Sequence, residues 1–389
     1  MNRGRAPRPH LGYGMNMHPG ESAAEAWAAV CGPACAVREQ VSPGEPMGLA
    51  LRLGADAAET LDAQPELRGA WKRGMTERGL YAFTINGFPY GRFHGARVKE
   101  QVYAPDWRDP RRRRYTMQLA RALAEWLPEG VDGSISSVPV SYAAWMRTAE
   151  DRRAAFAELA NTAAELAALE RETGRLVRLA LEPEPGCVLQ RMDDLTPGWR
   201  ELRDAGARAG ADAAVARHIG LCLDTCHAAV AGERPADWMD RCAREGIPLV
   251  KIQISAAVEA PAGPDGRAAL ERFRNAVYLH QVRALDAAGR VRGEWADVDE
   301  APAHSDAAAD GVWRAHVHVP LFWTGDPPLR STADTMDERF WSRVRDGACA
   351  HLETETYTLD VLPGGLRCSP VDCAARELQW VRARLAPQP

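Results

Sequence analysis

The chain has 389 residues, of which 46% are hydrophobic and 26% charged, and its formal net charge is −5. This composition is typical of a globular protein with a sizeable core. The negative charge argues against a general affinity for nucleic acid, and no stretch reaches the ~18 apolar residues that a membrane-spanning helix needs. The nine cysteines are an odd number without a Cys-x-x-Cys pair, so we expect free thiols and a cytoplasmic location.

Two basic segments stand out near the start of the chain. The N-terminal stretch MNRGRAPRPHLG has no apolar core behind its basic residues and does not read as a signal peptide. We expect residues 1–12 to form a flexible tail and residues 13–389 to form one domain. Four consecutive arginines lie within Arg108–Thr116. They predict a solvated loop entering a helix, with an anion or partner contact as the alternative.

Apolar strand candidates alternate with helical segments down the chain. A helix is predicted over Ser22–Gln40 and another over Tyr115–Leu127, and a third carries an apolar stripe at three- and four-residue steps. The strand candidates are Tyr13–Gly20, Gly48–Leu53, Leu80–Gly91, Gly133–Val140, Arg175–Gly186, His218–His227, Pro248–Ser255, Arg314–Phe322 and Ala350–Pro363. Eight or nine buried strands separated by helices predict a parallel sheet covered on both faces, and favour a (β/α)8 TIM barrel over an open sheet.

One region interrupts this alternation. Within residues 256–312, the segment LHQVRALDAAGRVRGEWADV has two alternating runs on either side of Asp-Ala-Ala-Gly-Arg, the pattern of a β-hairpin. We interpret residues 256–312 as an insertion between the seventh and eighth barrel strands. Loops of this length are uncommon unless they serve a function.

Polar residues gather at the predicted carboxyl ends of the strands, where TIM barrels carry their active sites. Several form pairs two residues apart, so that both side chains share a face: Asn16/His18, Glu182/Glu184, His316/His318 and Glu353/Glu355. Paired acids facing apolar helices would be costly, so we expect the pairs to face the barrel mouth. Asn86, Asp224, His227 and Gln253 lie at further strand ends.

This set of side chains predicts a divalent metal site. Several carboxylates in one space repel unless some are protonated or a cation lies among them, and Glu, Asp and His together suit Mn²⁺, Mg²⁺, Zn²⁺, Co²⁺ or Fe²⁺. Asp224 is then a ligand, and His227 a second ligand or a substrate contact. Two structural alternatives stay open. Glu182 and Glu184 could belong to a solvated loop that caps a helix, and His316 and His318 could serve only the structure of an edge hairpin.

The order of these residues resembles the xylose isomerase-like barrel superfamily, which includes ketose 3-epimerases, hydroxypyruvate isomerases and endonuclease IV. The matching segments are LALEP, LDTCH and ETETY. The resemblance implies that Glu182, Asp224 and Glu355 are metal ligands and that His227 contacts substrate. The seventh strand departs from the pattern, because it offers Gln253 where the superfamily has histidine. His316 or His318 is the replacement that the sequence offers.

A closer resemblance spans nearly the whole chain. Segments such as NMHPGES, TINGFPYGRFHG, VKEQVYAPDW, EPEPGCVL and ETETYT resemble the EboE family of bacterial proteins, described as metabolite-traffic proteins. The resemblance implies a role in making or moving a small secondary metabolite.

The leading functional hypothesis is a metal-dependent isomerase or epimerase acting on a sugar, cyclitol or related polyol. Glu182 and Glu355 would exchange a proton with the substrate while His227 holds a hydroxyl. The glycine- and aromatic-rich loop at residues 84–95 is expected to fold over the barrel mouth. Further substrate contacts are predicted at His18, Asn86, Tyr90, His94 and Gln253.

Two alternatives belong to other classes. A phosphoester hydrolase would need two or three metal ions, for which Glu184, His316, His318 and Glu353 are spare ligands. A metabolite carrier that has lost turnover would explain the departure at Gln253. The sequence leaves a homo-oligomer open.

Overall fold

Eight parallel strands form a closed barrel in the computed structural model, which describes residues 8–93, 98–274, 277–301, 311–357, 359, 362 and 368–386. The barrel strands are β1 (His10–Gly14), β2 (Met47–Arg52), β3 (Leu80–Asn86), β4 (Gly133–Ser137), β5 (Val177–Leu181), β6 (Ile219–Asp224), β7 (Leu249–Ile254) and β14 (His351–Thr354). They close in the order β1-β14-β7-β6-β5-β4-β3-β2. The predicted (β/α)8 barrel is confirmed.

Helices alternate with these strands along the chain. They are α1 (Ala23–Ala29), α2 (Cys35–Val41), α3 (Ala55–Ala63), α4 (Pro65–Glu77), α5 (Pro110–Trp126), α6 (Ala149–Thr173), α7 (Met192–Arg208), α8 (Asp212–His218), α9 (Thr225–Val230), α10 (Pro235–Glu245), α11 (Pro264–Leu270), α12 (Glu338–Arg345) and α13 (Pro370–Leu385). One large cluster of buried apolar side chains joins strands and helices. None of the helices in the described part of the chain is long and apolar enough to span a membrane.

The longest helix, α6, shows how the sequence sets its ends and its buried face. Thr148 and Asp151 form a reciprocal capping box at its start, and Gly174 ends it in the left-handed conformation at φ 68°. The predicted apolar stripe is confirmed as its buried face: Phe156, Leu159, Ala163, Leu166 and Leu169. This face packs the helix onto the barrel core.

A second, antiparallel sheet lies between β7 and β14 along the chain. Its strands are β8 (Val258–Pro261), β9 (Val282–Leu285), β10 (Val291–Trp295), β11 (Val312–Ala315), β12 (Gly325–Asp326) and β13 (Leu329–Ser331), in the order β10-β9-β11-β8-β13-β12. The predicted hairpin is β9–β10. Two expectations are corrected. The inserted sheet continues beyond residue 312 to Ser331, and Arg314–Phe322 contributes to this sheet and not to the barrel.

The first barrel strand begins earlier than predicted. β1 starts at His10, inside the segment expected to be a tail, because its residues pair with β14 from His351 onward. Gly14 allows these two strands to approach closely, since a Cβ atom there would lie 1.9 Å from the Thr354 carbonyl oxygen. Residues 1–7 lie outside the described chain.

The arginine run is not a purely solvated loop. Arg112 is fully buried on α5, where its guanidinium donates to the carbonyl oxygens of Pro105 (2.7 Å), Gly87 (2.9 Å) and Phe88 (2.9 Å). Burial lowers the pKa of Arg112 to about 10. The side chain thereby fixes the loop that follows β3, a role that a charge count along the sequence does not reveal.

Candidate metal centre

Three carboxylates meet at the carboxyl end of the barrel strands. Glu182 follows β5, Asp224 ends β6 and Glu355 follows β14, and each offers an oxygen within 4.8 Å of the other two. All three side chains are buried. Burial raises the pKa of Glu182 and of Glu355 well above the ordinary value, and the neighbouring carboxylates raise both further. The sequence prediction that these three acids share one space is therefore matched by the geometry.

Asp224 uses its two carboxylate oxygens differently. Its Oδ1 accepts hydrogen bonds from the His227 backbone N–H (3.0 Å), which caps α9, and from the Ser255 hydroxyl (2.7 Å). Its Oδ2 is buried, and no donor in the described part of the chain reaches it. Burial opposes the charge of Asp224, but His227, His318 and hydrogen bonds with Glu355 and Ser255 together lower its pKa. Asp224 both caps a helix and presents a charged oxygen to the site.

The two glutamates are also oriented toward the centre. The side-chain amides of Asn16 and Asn86 both donate to Glu355 Oε1, the latter at 3.0 Å. Glu182 Oε2 is buried without a donor among the described residues. Buried carboxylate oxygens that lack donors and point at one another are the environment that a hard divalent cation neutralises. The donor set therefore fits the divalent ion that the sequence predicts, and Glu182, Asp224 and Glu355 are the residues that would hold it.

Three imidazoles lie beside the carboxylates. His227 Nε2 is 3.0 Å from His316 Nε2, which in turn is 3.2 Å from His318 Nε2. His227 comes from α9, and the other two follow β11 of the inserted sheet. Burial lowers the pKa of His227 to about 4, and it lowers the pKa values of His316 and His318 below their ordinary value as well. The imidazoles are therefore neutral at physiological pH.

Glu184 lies next to the imidazoles in a hydrogen-bonded network. Its carboxylate accepts from the Tyr103 hydroxyl (3.0 Å) and from the Gln281 amide (3.3 Å). Burial raises the pKa of Glu184 to about 8. His316 Nδ1 lies 3.5 Å from the same carboxylate.

A cavity with aromatic walls opens above these polar groups. Its aromatic lining consists of Phe88, Phe93, Tyr103, Tyr278 and Tyr357. Lys99 also lines the cavity, at the strained φ of 42°, and forms an ion pair with Asp297 of the inserted segment. The inserted segment and the loop after β3 thus both border the cavity.

The predicted site residues divide into two groups. Those that line the cavity are Asn86, Glu182, His227, His316, His318 and Glu355. His94 lies outside the described residues. Three further predicted substrate contacts, His18, Tyr90 and Gln253, do not line the described part of the cavity and stay predictions.

Each of these three residues packs in the interior or against another ring. Tyr90 is half-buried, with its ring 5.1 Å from that of Tyr115. Gln253 is fully buried, and its Oε1 accepts from the Cys222 thiol (2.9 Å). His18 contacts the Tyr13 hydroxyl. None of the three is among the residues that line the described part of the cavity.

Sequence reasoning missed several residues of this region. Gln281 orients an imidazole, Tyr103 binds Glu184, and Lys99 borders the cavity. Tyr103 and Lys99 belong to VKEQVYAPDW, a segment that the resemblance includes, and Gln281 lies at the start of the predicted hairpin segment LHQVRALDAAGRVRGEWADV. Neither segment shows by itself which of its polar side chains reaches the cavity.

Comparison with known proteins supports the fold and no more. No protein-family model and no curated protein matches the chain. A xylose isomerase-like TIM barrel protein from Mycobacterium smegmatis in complex with magnesium aligns over 97% of this chain and 96% of its own, with 10% identity and a TM-score of 0.53. The chain has the fold of the xylose isomerase-like TIM barrels.

Two further structures align over most of their length. An L-ribulose 3-epimerase covers 97% of this chain and 95% of its own, with 12% identity and a TM-score of 0.49. A probable 3-DHS dehydratase from Bacillus anthracis covers 96% and 98%, with 13% identity and a TM-score of 0.48. The closer resemblance to the EboE proteins stays a prediction.

Proposed function

We propose that the protein is a metal-dependent isomerase or epimerase that acts on a sugar- or cyclitol-like polyol. The observation that carries this proposal is that Glu182 and Glu355 both line one cavity and that each offers an oxygen within 4.8 Å of the other and of Asp224. Burial raises the pKa of both, which is the direction that suits a carboxyl group exchanging a proton with a substrate. A pair of such groups allows one to remove a proton from carbon and the other to return one.

The chain's own residues account for the steps of this reaction. A divalent ion held by Glu182, Asp224 and Glu355 would chelate a carbonyl and an adjacent hydroxyl and acidify the C–H bond between them. One glutamate removes that proton, and the other returns a proton to the opposite face or to the neighbouring carbon. No electrons leave the substrate, so no redox partner is needed. Asn16 and Asn86 hold Glu355 in place throughout.

The walls of the cavity support the same chemistry. Aromatic side chains exclude water from the reacting carbon, which strengthens electrostatic interactions inside the site. The rings of Phe93, Tyr278 and Tyr357 pack on one another, with centroids 5.2–5.5 Å apart. They form an apolar wall of the cavity against which a polyol ring can pack. A small secondary metabolite is the substrate class that the resemblance to EboE proteins adds to this proposal.

Hydrogen exchange from D₂O tests the proposal. The metal-loaded protein is incubated in D₂O with a panel of ketoses, aldoses and ketocyclitols, and deuterium incorporation next to the carbonyl is followed by NMR. We expect incorporation into at least one compound, lost on chelation and in Glu182→Gln and Glu355→Gln. His10→Asn, in which a histidine outside the cavity is changed, should retain it. Exchange that survives dialysis against EDTA would contradict the proposal.

A hydrolase of phosphate esters is the second candidate. The imidazoles beside the carboxylates favour it, because together they provide ligands for more than one ion, as two-metal hydrolases require. Phosphate release from a panel of sugar phosphates, without deuterium incorporation, would select the hydrolase. Metabolite binding with neither activity would select the carrier.

A further inference from the structure

We propose that residues 277–279 of the inserted segment form a strap that opens and closes the cavity, and that Lys99 and Asp297 hold this strap shut. The proposal rests on the proposed function for what enters the cavity, a polyol, but its test needs neither metal nor turnover. The cavity volume is about 50 Å³, which leaves room for only a few water molecules. A polyol can therefore reach the carboxylates only if part of the wall moves.

Three aromatic rings from three segments meet over the cavity, and two of them are tied to the barrel. Phe93 donates its backbone N–H to Glu21 Oε1 (2.9 Å), and the Arg52 guanidinium lies 5.4 Å from the centre of its ring. Tyr357 follows the barrel strand β14. Tyr278 packs on both rings, with centroids 5.2 and 5.5 Å away, and belongs to the strap. The strap is therefore the wall that can move without disturbing the barrel.

Two consecutive backbone N–H groups hold the strap. Val98 and Lys99 both donate to the Val277 carbonyl oxygen, at 2.9 and 3.0 Å. Val98 has a right-handed helical conformation (φ −100°, ψ −54°), whereas Lys99 has a left-handed one (φ 42°). Successive residues of this kind form a nest, a concavity in which neighbouring N–H groups converge on one oxygen. The nest gives a reason for the positive φ of Lys99, which residues with a side chain rarely adopt.

The side chain of Lys99 keeps the nest in this conformation. Its ammonium group forms an ion pair with Asp297, and the two side chains are only 10% and 9% exposed. Backbone strain persists only where the surroundings enforce it. If the ion pair breaks, Lys99 is free to return to an unstrained φ, and its N–H then turns away from Val277. The ion pair thus controls the hydrogen bonds that hold the strap.

The other end of the strap is anchored. His280 follows the strap directly and donates from Nδ1 to the Phe273 carbonyl oxygen (2.8 Å). The next residue, Gln281, donates from its side-chain amide to the Pro185 carbonyl oxygen (3.0 Å), in the loop after β5. These bonds fix the chain immediately beyond the strap. Release from the nest would therefore rotate Tyr278 out of the cavity about a fixed end.

The balance of forces favours frequent opening. Two backbone hydrogen bonds, one ion pair and the packing of one ring close the strap, and the strain at Lys99 opposes them. Segments that are held by few contacts open locally, whereas buried barrel strands open only when the whole fold does. We expect the strap to open many times before the barrel unfolds.

This assignment gives the insertion a function. The insertion contributes the strap and Asp297, and the segment after β3 contributes the nest. When the strap is closed, the aromatic rings keep water from the reacting groups. When it is open, substrate enters and product leaves, as with the lids of other enzymes.

Labelling of the cavity histidines with diethyl pyrocarbonate tests the proposal on the metal-free, full-length protein. The reagent reacts with neutral imidazole nitrogen, and His316 and His318 are buried and line the cavity. Mass spectrometry of the peptide that contains both gives the labelling rate. His10, which lies outside the cavity, serves as the internal reference. In the wild type, we expect the cavity peptide to be labelled far more slowly than His10.

Two variants loosen the strap by different routes. Asp297→Asn removes the counter-charge of the lysine but can still accept the hydrogen bond from the Val298 N–H (2.8 Å). It should raise the labelling rate at least ~10-fold, because a broken buried ion pair is strongly destabilising. Tyr278→Ala removes the ring that covers the cavity and should raise the rate similarly. The matched control Asp299→Asn, at a half-exposed ion pair, should leave the rate unchanged.

Hydrogen exchange reports on the nest itself. The peptide that spans residues 98–103 is followed by mass spectrometry in D₂O. The amides of Val98 and Lys99 should exchange faster in Asp297→Asn than in the wild type, and at the wild-type rate in Asp299→Asn. Circular dichroism confirms that each variant is folded.

Several results would overturn the proposal. Wild-type cavity histidines labelled as fast as His10 would show that no wall closes over them. Unchanged labelling in both variants would exclude the strap, and faster labelling in Tyr278→Ala alone would exclude control by the ion pair. If Asp297→Asn does not fold, Tyr278→Ala decides whether the strap covers the cavity. Faster labelling without deuterium incorporation into any ketose would leave the strap standing, and incorporation with unchanged labelling would leave only the proposed function.

Discussion

Lys251 and Glu353 form an ion pair inside the barrel, and both side chains are fully buried. Lys251 lies on β7 and also donates to the Ser136 hydroxyl (3.1 Å). Glu353 lies on β14, two residues before Glu355. The ammonium group opposes the rise in the pKa of Glu182 that burial causes, so Lys251 offsets part of the negative charge at the candidate metal centre.

Breaking this pair should destabilise the fold. Lys251→Met leaves Glu353 buried without its counter-charge, which typically costs about 3–5 kcal/mol in the free energy of unfolding. The double variant Lys251→Met/Glu353→Leu should recover most of that loss, since an apolar pair of similar volume replaces the ions. Urea unfolding of the chelator-treated protein measures both. A double variant no more stable than the single one would contradict the pairing.

Asp224→Asn should separate metal binding from folding. The asparagine Oδ1 still accepts from the His227 N–H and the Ser255 hydroxyl, but the charge that holds the cation is gone. We expect metal occupancy to fall by at least the ~10-fold typical of residues that merely support ligands. Without metal, the variant should be no less stable than the wild type, because carboxylate crowding is relieved. The exposed Asp334→Asn serves as the control.

The Asp224 prediction has two contrary outcomes. An Asn variant that keeps its metal, or one that unfolds outright, would mean that Asp224 serves only the helix cap. Elemental analysis and thermal melts of the metal-free proteins distinguish them.

Two aromatic residues of the loop after β3 should behave differently. Phe88 lines the cavity, so Phe88→Ala should raise KM for the substrate identified by deuterium exchange, with metal content unchanged. Tyr90 packs on Tyr115, so Tyr90→Ala should lower the free energy of unfolding by about 1–3 kcal/mol and leave KM unchanged. Steady-state kinetics and urea unfolding check both. The reverse pattern would restore the sequence expectation for Tyr90.

Glu377 should make stability depend on pH. It is fully buried on α13 and accepts from the Thr356 hydroxyl (2.6 Å), and burial raises its pKa from 4.5 to about 7. The folded protein therefore keeps a proton between these values that the unfolded chain releases. Its contribution to stability is fully present below pH ~4.5, is lost as the pH rises to about 7, and then levels off.

The variant Glu377→Gln isolates this effect. The shift of about 2.5 pH units corresponds to about 3 kcal/mol, so the stability of the wild type relative to Glu377→Gln should fall by that order between pH 5 and pH 8. Denaturant unfolding of both proteins at four pH values measures the difference. A difference independent of pH would show that Glu377 is ionised in the folded protein.

The sequence predicted the barrel because its strands are buried on both faces and therefore nearly uniformly apolar. Acids at their ends stood out against that background, which is why Glu182, Asp224 and Glu355 could be named. Lys251 gave the same signal, a charge inside an apolar strand, but its partner Glu353 lies 102 residues away along the chain. Such pairings depend on barrel register, which the pattern of one strand does not contain.

The site's remaining residues depended on tertiary structure. Gln253 ends β7 as expected, yet its side chain contacts Cys222 in the barrel interior. His316 and His318 were placed on a barrel strand, whereas they follow a strand of the inserted sheet. The alternation of apolar and polar residues cannot show whether a strand belongs to the barrel or to the inserted sheet, because strands of both sheets can have the same pattern.

The hydrogen bond from Asn16 to Glu355 joins residues 339 positions apart, across the seam where β1 meets β14. A nascent chain therefore cannot complete the carboxylate site until its last barrel strand has left the ribosome. The proposed metal ion would therefore bind only after the barrel has closed, and its binding would stabilise the closed barrel as a whole. At a free metal concentration 100 times Kd, one ion adds about 2.7 kcal/mol to global stability. Because the metal-bound protein would unfold less often, the concentration of free metal in the cell would affect how quickly the protein is degraded.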